Sequence, residues 1–236
     1  MRALLVFTVL MAVKLTSRCL YRVQLEWLPG SPRTWSDVRI AALLNHTTLF
    51  EPILLGAVPA SFLWRVAARG VIPIADKTME RPVVGRIFRF IASEVAVVSR
   101  EADDTWDQVL EQIRDPDAVL AFCPEGRMKR RDGLDSRGNP MTVRGGIADV
   151  IRVKPRGRLL LAYSGGLHHI HAPGDRLPRV FRRAWLGVEV VDLREYRDRM
   201  MTQHGEDGFK WAVIEDLTRR RDIHCAAGPA GAALGG

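Results

Sequence analysis

The sequence predicts an α/β protein: a mostly parallel, mixed sheet flanked by helices, with an N-terminal amphipathic helix as a membrane anchor. Two observations carry the sheet. Short apolar, β-rich runs alternate with stretches of helical spacing along the chain. Several of those runs stop abruptly in polar residues, as buried strands do where a parallel sheet opens onto a ligand. A third observation carries the anchor: residues 1–28 interleave apolar and basic side chains. At 236 residues, 47% hydrophobic and 26% charged, the chain has the make-up of one folded domain with a sizeable core.

Taken in order, Met1-Arg2 precedes an apolar run from Ala3 to Val13, ended by Lys14. That run is about half of the roughly 20 residues that a spanning helix needs. No small-residue cleavage site follows it. Apolar residues continue through Leu20, Tyr21, Val23, Leu25, Trp27 and Leu28, with Lys14, Arg18 and Arg22 between them. The expectation is a helix lying in the membrane interface over residues 1–30, its basic residues towards anionic headgroups. Pro29-Gly30-Ser31-Pro32 is a turn cluster that separates it from the domain of residues 31–225.

Within the domain, Val38–Leu44 predicts a strand and the chain to about Val58 a helix. Phe62–Ala67 reads as a second strand, Gly70–Ile74 as an extended connection and Arg81–Ile91 as a helix. Glu94–Arg100 predicts a strand ending on a cation, Thr105–Ile113 a short helix and Ala118–Phe122 a buried strand. A polar, Gly-containing loop (Lys129–Thr142) leads to a helix over Gly146–Val153. Strands at Arg158–Tyr163 and Ala184–Val191 and a late helix over Gly208–Arg221 complete the domain. Residues 226–236 form a small-residue tail with too little to bury and are expected to be disordered.

A net charge of +8 and a pI near 10.0 favour an anionic partner: a phospholipid surface, a phosphorylated substrate or nucleic acid. No nucleic-acid-binding motif or zinc spacing is present to support the last of these. Three widely spaced cysteines (Cys19, Cys123, Cys225) suggest neither a disulfide framework nor a metal site and point to a reducing compartment.

The chemistry gathers at three strand ends. In Asn45-His46-Thr47-Thr48-Leu49-Phe50-Glu51, a histidine follows the first strand and a carboxylate stands five residues later. A His general base needs a carboxylate to fix its tautomer and to stabilise the imidazolium that forms. On a continuous helix this spacing separates the two faces, so the chain must turn between them. Thr48-x-x-Glu51 is also a capping-box pattern, under which Glu51 would only satisfy a helix start. Arg100 ends the second such strand. Glu125-Gly126-Arg127 follows the third, with Lys129, Arg130 and Arg131 just beyond. Gly126 permits close backbone approach, and a guanidinium such as Arg100 pairs well with phosphate. A base with an orienting acid beside an anion cradle suits deprotonation of a hydroxyl on a phosphorylated substrate.

Three further signals read as structural. His168-His169-x-His171 lacks a companion carboxylate or Cys cluster at ligand spacing. Cys123, in an apolar strand-end setting, reads as buried filler. Ser164-Gly165-Gly166 lacks the flanks of a nucleophile elbow and reads as a turn.

In their order, Asn45-His46-x4-Glu51, Val95–Arg100, Phe122-Cys123-Pro124-Glu125-Gly126-Arg127 and Gly145-Gly146 resemble the glycerolipid acyltransferases, the lysophosphatidic acid and lysophospholipid acyltransferases. The resemblance spans roughly residues 35–190. Glu51 stands where that family carries Asp, and Arg127-Met128 where its usual pattern is Thr-Arg. The resemblance implies transfer of a fatty acyl group from an acyl-CoA or acyl-carrier-protein thioester to a lysophospholipid hydroxyl. It implies His46 as general base, Glu51 as its orienting acid, and Arg100, Glu125, Gly126 and Arg127 as acceptor-binding residues. It calls for no metal, no other cofactor and no nucleic acid. The expected location is peripheral, on the cytoplasmic face of a phospholipid membrane. Acylation of another lipid or small-molecule acceptor remains open at this level, as does a non-catalytic lipid- or anion-binding role.

Overall fold

The computed structural model describes residues 1–75, 94–98 and 105–226. The helix expected over Arg81–Ile91, the cation Arg100 and all but Ala226 of the expected tail (226–236) lie outside them; Ala226 ends the last described helix. The described strands are β1 (Arg22–Trp27), β2 (Val38–Leu44), β3 (Gly70–Ala75), β4 (Glu94–Val98), β5 (Val119–Phe122), β6 (Arg158–Gly165) and β7 (Arg183–Asp192). They form one sheet in the order β1-β7-β6-β2-β5-β3-β4. Every pairing is parallel except β6 with β7, which makes the sheet mixed, as expected.

The helices are α1 (Arg2–Leu20), α2 (Ala60–Arg69), α3 (Thr105–Ile113), α4 (Gly146–Val153), the single turn α5 (Leu167–Ile170) and α6 (Leu193–Ala226). A 3-10 helix covers Glu51–Ala57. The helix α6 is kinked at Gly205, whose φ of 69° is left-handed, and it is far longer than the segment expected from Gly208 to Arg221.

Two apolar layers cover the two faces of the sheet. One joins Ile40, Leu120, Leu159 and Leu161 to helices α3, α4 and α6. The other joins Val38, Val119, Leu160 and Leu186 to α1, α2 and the 3-10 helix. Val38 and Ile40 serve opposite layers because the register of β2 against β6 shifts between them, which reverses the side-chain alternation. The strand β6 is buried along nearly its whole length, as an interior strand of a doubly covered sheet must be.

Three expectations are corrected. Residues 22–27 are the edge strand β1, not the continuation of a helix. Val23, Leu25 and Trp27 alternate with Arg22, Gln24 and Glu26, and that period of two is a strand's. Phe62–Ala67 lies within the helix α2, which buries Phe62, Leu63 and Ala67 at helical spacing. The extended connection after it is the paired strand β3.

The N-terminal helix α1 also differs from an amphipathic one. It has no distinct polar face and, at 19 residues, is by length and composition long and apolar enough to cross a membrane. One stripe (Val6, Leu10, Lys14, Ser17) packs on the domain, while Leu4, Leu5 and Leu15 face outwards. Lys14 points inwards rather than to headgroups, and its ammonium donates to the carbonyls of Gly56 (3.0 Å) and Val58 (2.6 Å). Burial, and then the nearby Arg18 charge, lower its pKa. Ser17 Oγ donates to the carbonyl of Ile53. A Cβ at Gly56 would stand 2.6 Å from Ser17 Oγ, so a side chain there would force the two helices apart.

Candidate active site

At the carboxyl end of β2 the chain reverses through Asn45, whose φ of 67° is left-handed. Asparagine is among the few side chains that tolerate this conformation. Ser164, at the end of the neighbouring β6, holds the turn from both sides. Its carbonyl accepts from Asn45 Nδ2 at 2.9 Å, and its hydroxyl donates to the Asn45 carbonyl at 2.9 Å. The 3-10 helix then starts at Glu51, with Pro52 early in it where no N–H is missed.

This turn closes the gap of five residues. His46 Nδ1 lies 2.7 Å from Glu51 Oε2, while Glu51 Oε1 accepts the Thr47 N–H at 2.9 Å. The capping-box reading fails in detail: the helix is capped at Phe50 without a side chain, and Glu51 serves His46 and Thr47 instead. With Nδ1 held by a carboxylate, Nε2 is the ring nitrogen left to take a proton.

Cys123, at the end of β5, directs its thiol to Glu51 Oε2 at 3.6 Å. Burial pushes that thiol up to about 11, so it stays protonated at neutral pH. His46 is pulled in two directions. Burial disfavours its charged form, but the Cys123 sulfur and the Glu51 carboxylate together outweigh burial and raise its pKa. Since the thiol holds its proton, Glu51 is the anion that sustains the rise. The donor atoms of His46, Glu51 and Cys123 all lie within 4.8 Å of one another, close enough to hold a metal ion. The His46–Glu51 hydrogen bond already occupies the facing lone pair and proton.

Glu125 has a different place from the one the resemblance implied. It is 1% exposed, and both oxygens are engaged. Oε2 accepts the His46 N–H at 2.7 Å, and Oε1 accepts the Asn45 N–H at 3.2 Å. Arg221, from the last turns of α6, donates to Oε1 at 3.1 Å and to the Met141 carbonyl at 3.0 Å. Glu125 therefore holds the backbone that carries His46. Gly126 has a left-handed φ of 64°, which favours glycine. Arg127 pairs with Asp135, which also accepts the N–H groups of Arg137 (2.8 Å) and Asn139 (2.9 Å). Asp135 thus folds the Lys129–Thr142 loop around itself, and these contacts hold its carboxyl well below the usual range.

The loop is sewn to the site. The Lys129 N–H donates to the His46 carbonyl at 2.7 Å, and the Lys129 carbonyl lies 3.1 Å from His168 Nε2. His171 Nδ1 lies 3.0 Å from Thr48 Oγ1, and its ring sits 4.5 Å from that of Phe50. His168 and His171 therefore join loops. Sequence reasoning missed Arg221, Asp135 and Thr47. The Thr47 hydroxyl is buried with no partner among the described residues. A buried, unpaired hydroxyl beside a candidate base was visible only as one more Thr. Arg144, whose side chain passes Gly126, is exposed and in no ion pair among the described residues.

No family model and no curated protein matches this chain. Its fold does match a solved structure, the 1-acyl-sn-glycerophosphate (LPA) acyltransferase PlsC from Thermotoga maritima. The TM-score is 0.56 at 18% identity, over 92% of this chain and 80% of that one. The chain therefore has the fold of that acyltransferase.

Proposed function

We propose that this protein is an acyltransferase of the glycerolipid type, moving a fatty acyl group from a thioester of CoA or acyl-carrier protein to the hydroxyl of a lysophospholipid such as lysophosphatidic acid. The observation that supports it most is the 2.7 Å contact between His46 Nδ1 and Glu51 Oε2 at the carboxyl end of β2, in a fold shared with an acyltransferase.

His46 Nε2 takes the proton as the acceptor oxygen attacks the thioester carbonyl. Glu51 fixes the ring and stabilises the imidazolium. The tetrahedral intermediate then collapses, the carbon–sulfur bond breaks, and the leaving thiolate recovers the proton from His46. An ester and a free thiol result, with no metal, redox step or covalent enzyme intermediate. The Thr47 hydroxyl, buried and unpaired, is positioned in sequence beside the base as a donor for the oxyanion. Arg100, Arg144 and the Gly126 turn supply the anion-binding side, while Glu125 acts by holding the His46 backbone. The apolar α1 attaches the protein to the phospholipid surface from which the acceptor comes.

The test is transfer from labelled long-chain acyl-CoA or acyl-carrier protein to a panel of lysophospholipids by wild type, His46→Ala and Glu51→Gln. Product from the wild type that His46→Ala abolishes and Glu51→Gln lowers by about a hundredfold or more supports the reading. Undiminished transfer by His46→Ala overturns the mechanism, and the absence of product with every donor and acceptor overturns the activity.

A further inference from the structure

The chain between α5 and β7 reads Ala172-Pro173-Gly174-Asp175-Arg176-Leu177-Pro178-Arg179-Val180-Phe181-Arg182-Arg183. Leu177 is 79% exposed, Phe181 74% and Val180 42%, and none serves the core. Phe181 is the most informative of them. Its φ of 60° is left-handed, a conformation that is strained for a bulky residue. Here that strain turns an aromatic ring towards solvent. Arg176, Arg179, Arg182 and Arg183 alternate with these residues, all exposed and none in an ion pair among the described residues.

The loop is also tied to two other features. Where it ends, the Phe181 N–H donates to the Leu20 carbonyl at 2.7 Å, and the Arg22 N–H donates to the Arg182 carbonyl at 3.1 Å. It therefore abuts the end of the apolar α1. Where it begins, the Asp175 carbonyl accepts from His171, which meets Thr48, and the Asp175 carboxylate faces Arg131 at 3.5 Å. Because β7 runs antiparallel to β6, its start lies beside the end of β6, at the same edge of the sheet as His46.

We propose that the Arg176–Arg183 loop is a second membrane contact, which enters the interface of an anionic bilayer and turns the His46 edge of the sheet to the lipid. Leu177, Val180 and Phe181 enter the boundary between headgroups and acyl chains, and the four arginines meet the phosphates. Exposed apolar residues with interspersed cations suit that boundary, where the apolar groups leave water and the cations meet phosphate. This rests on the lipid-modifying reading above for its purpose but not for its measurement.

The experiment is sedimentation of the full chain with phosphatidylcholine vesicles, with and without phosphatidylglycerol. Wild type is compared with Leu177→Ser/Phe181→Gly and with the four arginines changed to Gln. Glycine at position 181 relieves the left-handed strain, so the double variant should melt no lower than wild type. The arginine variant should nevertheless lose far more than about tenfold in affinity for anionic vesicles, at roughly fivefold per arginine, and the apolar variant at least about tenfold through lost burial. Binding of both variants within about twofold of wild type would overturn the proposal and leave α1 as the lipid contact. So would a wild type that ignores anionic vesicles. His46→Ala should bind as wild type does. If no acyl transfer is found but the vesicle losses are, the enzymatic reading fails and the membrane contact stands.

Discussion

Arg221 and Glu125 form a buried ion pair at 3.1 Å although 96 residues separate them. Glu125 in turn accepts the N–H groups of Asn45 and His46. The position of the candidate base thus depends on the last turns of the last helix.

Removing one partner of such a pair leaves a buried charge unmatched, which typically costs about 3–5 kcal/mol. Arg221→Met should destabilise the protein by an amount of that order in urea unfolding, and Arg221→Lys by less. Glu125→Gln should lower the turnover number more than it raises KM, because it loosens His46 rather than a substrate contact. Unchanged stability in Arg221→Met would show that the pair contributes nothing.

His46 must be neutral to act as a base, and its pKa is raised. Activity should therefore climb with pH through a limb that lies above the ordinary histidine value of about 6.5. Glu51→Gln should move that limb towards lower pH while reducing the plateau. For stability the sign is opposite. The pairing stabilises the fold fully below about pH 6.5 and loses this contribution as pH rises through the raised value. A pH–rate profile of the two proteins checks the first statement and pH-dependent melting the second.

Cys123 touches Glu51 but remains protonated, with burial pushing it up to about 11. Cys123→Ala should keep transfer within roughly tenfold of wild type, and no acyl-enzyme should accumulate in either protein. Mass spectrometry of the quenched reaction decides this, since an acylated Cys123 would replace the general-base mechanism by a nucleophilic one.

Lys154 is fully buried, and its ammonium donates to the carbonyls of Ile113 (3.1 Å), Asp115 (2.6 Å) and Ala118 (2.7 Å). It thereby closes the end of α3. Lys154→Met strands these acceptors and should cost on the order of 2–4 kcal/mol. Burial lowers the pKa of Lys154 to about 8. The unfolded chain binds the extra proton between about pH 8 and the usual lysine range near 10.4. This group should therefore make the wild type more stable as pH rises across that window, and Lys154→Met should lack the effect.

Much of the sheet was legible because buried strands announce themselves. β2, β5, β6 and β7 are short apolar runs with polar stops, and that pattern alone locates them. β1 and α2 were misread because each was judged against its neighbours. Val23, Leu25 and Trp27 extended an apolar run already assigned to a helix, and Phe62–Ala67 is too short a window to separate the two periods. The His46–Glu51 contact could be posed as a question, since it required a turn. Asn45 answers it with a left-handed φ that no spacing rule reveals. Glu125 and Arg221 show the limit most clearly. A carboxylate beside a Gly reads as a ligand-binding residue, and only tertiary structure shows both of its oxygens already taken.

Between the end of α1 and the start of β1 there is a single residue, Tyr21, and it is buried. The first helix is therefore no tether with slack. Lys14 and Ser17 clamp it to the 3-10 helix that begins at Glu51, and β1 is hydrogen-bonded to β7 from Arg22 to Trp27. Whatever grips that helix also sets the height and tilt of the entire sheet, much as a keel fixes a hull. A few flexible glycines inserted after Tyr21 should not set the hull free, because the Lys14 and Ser17 clamps do not pass through that joint.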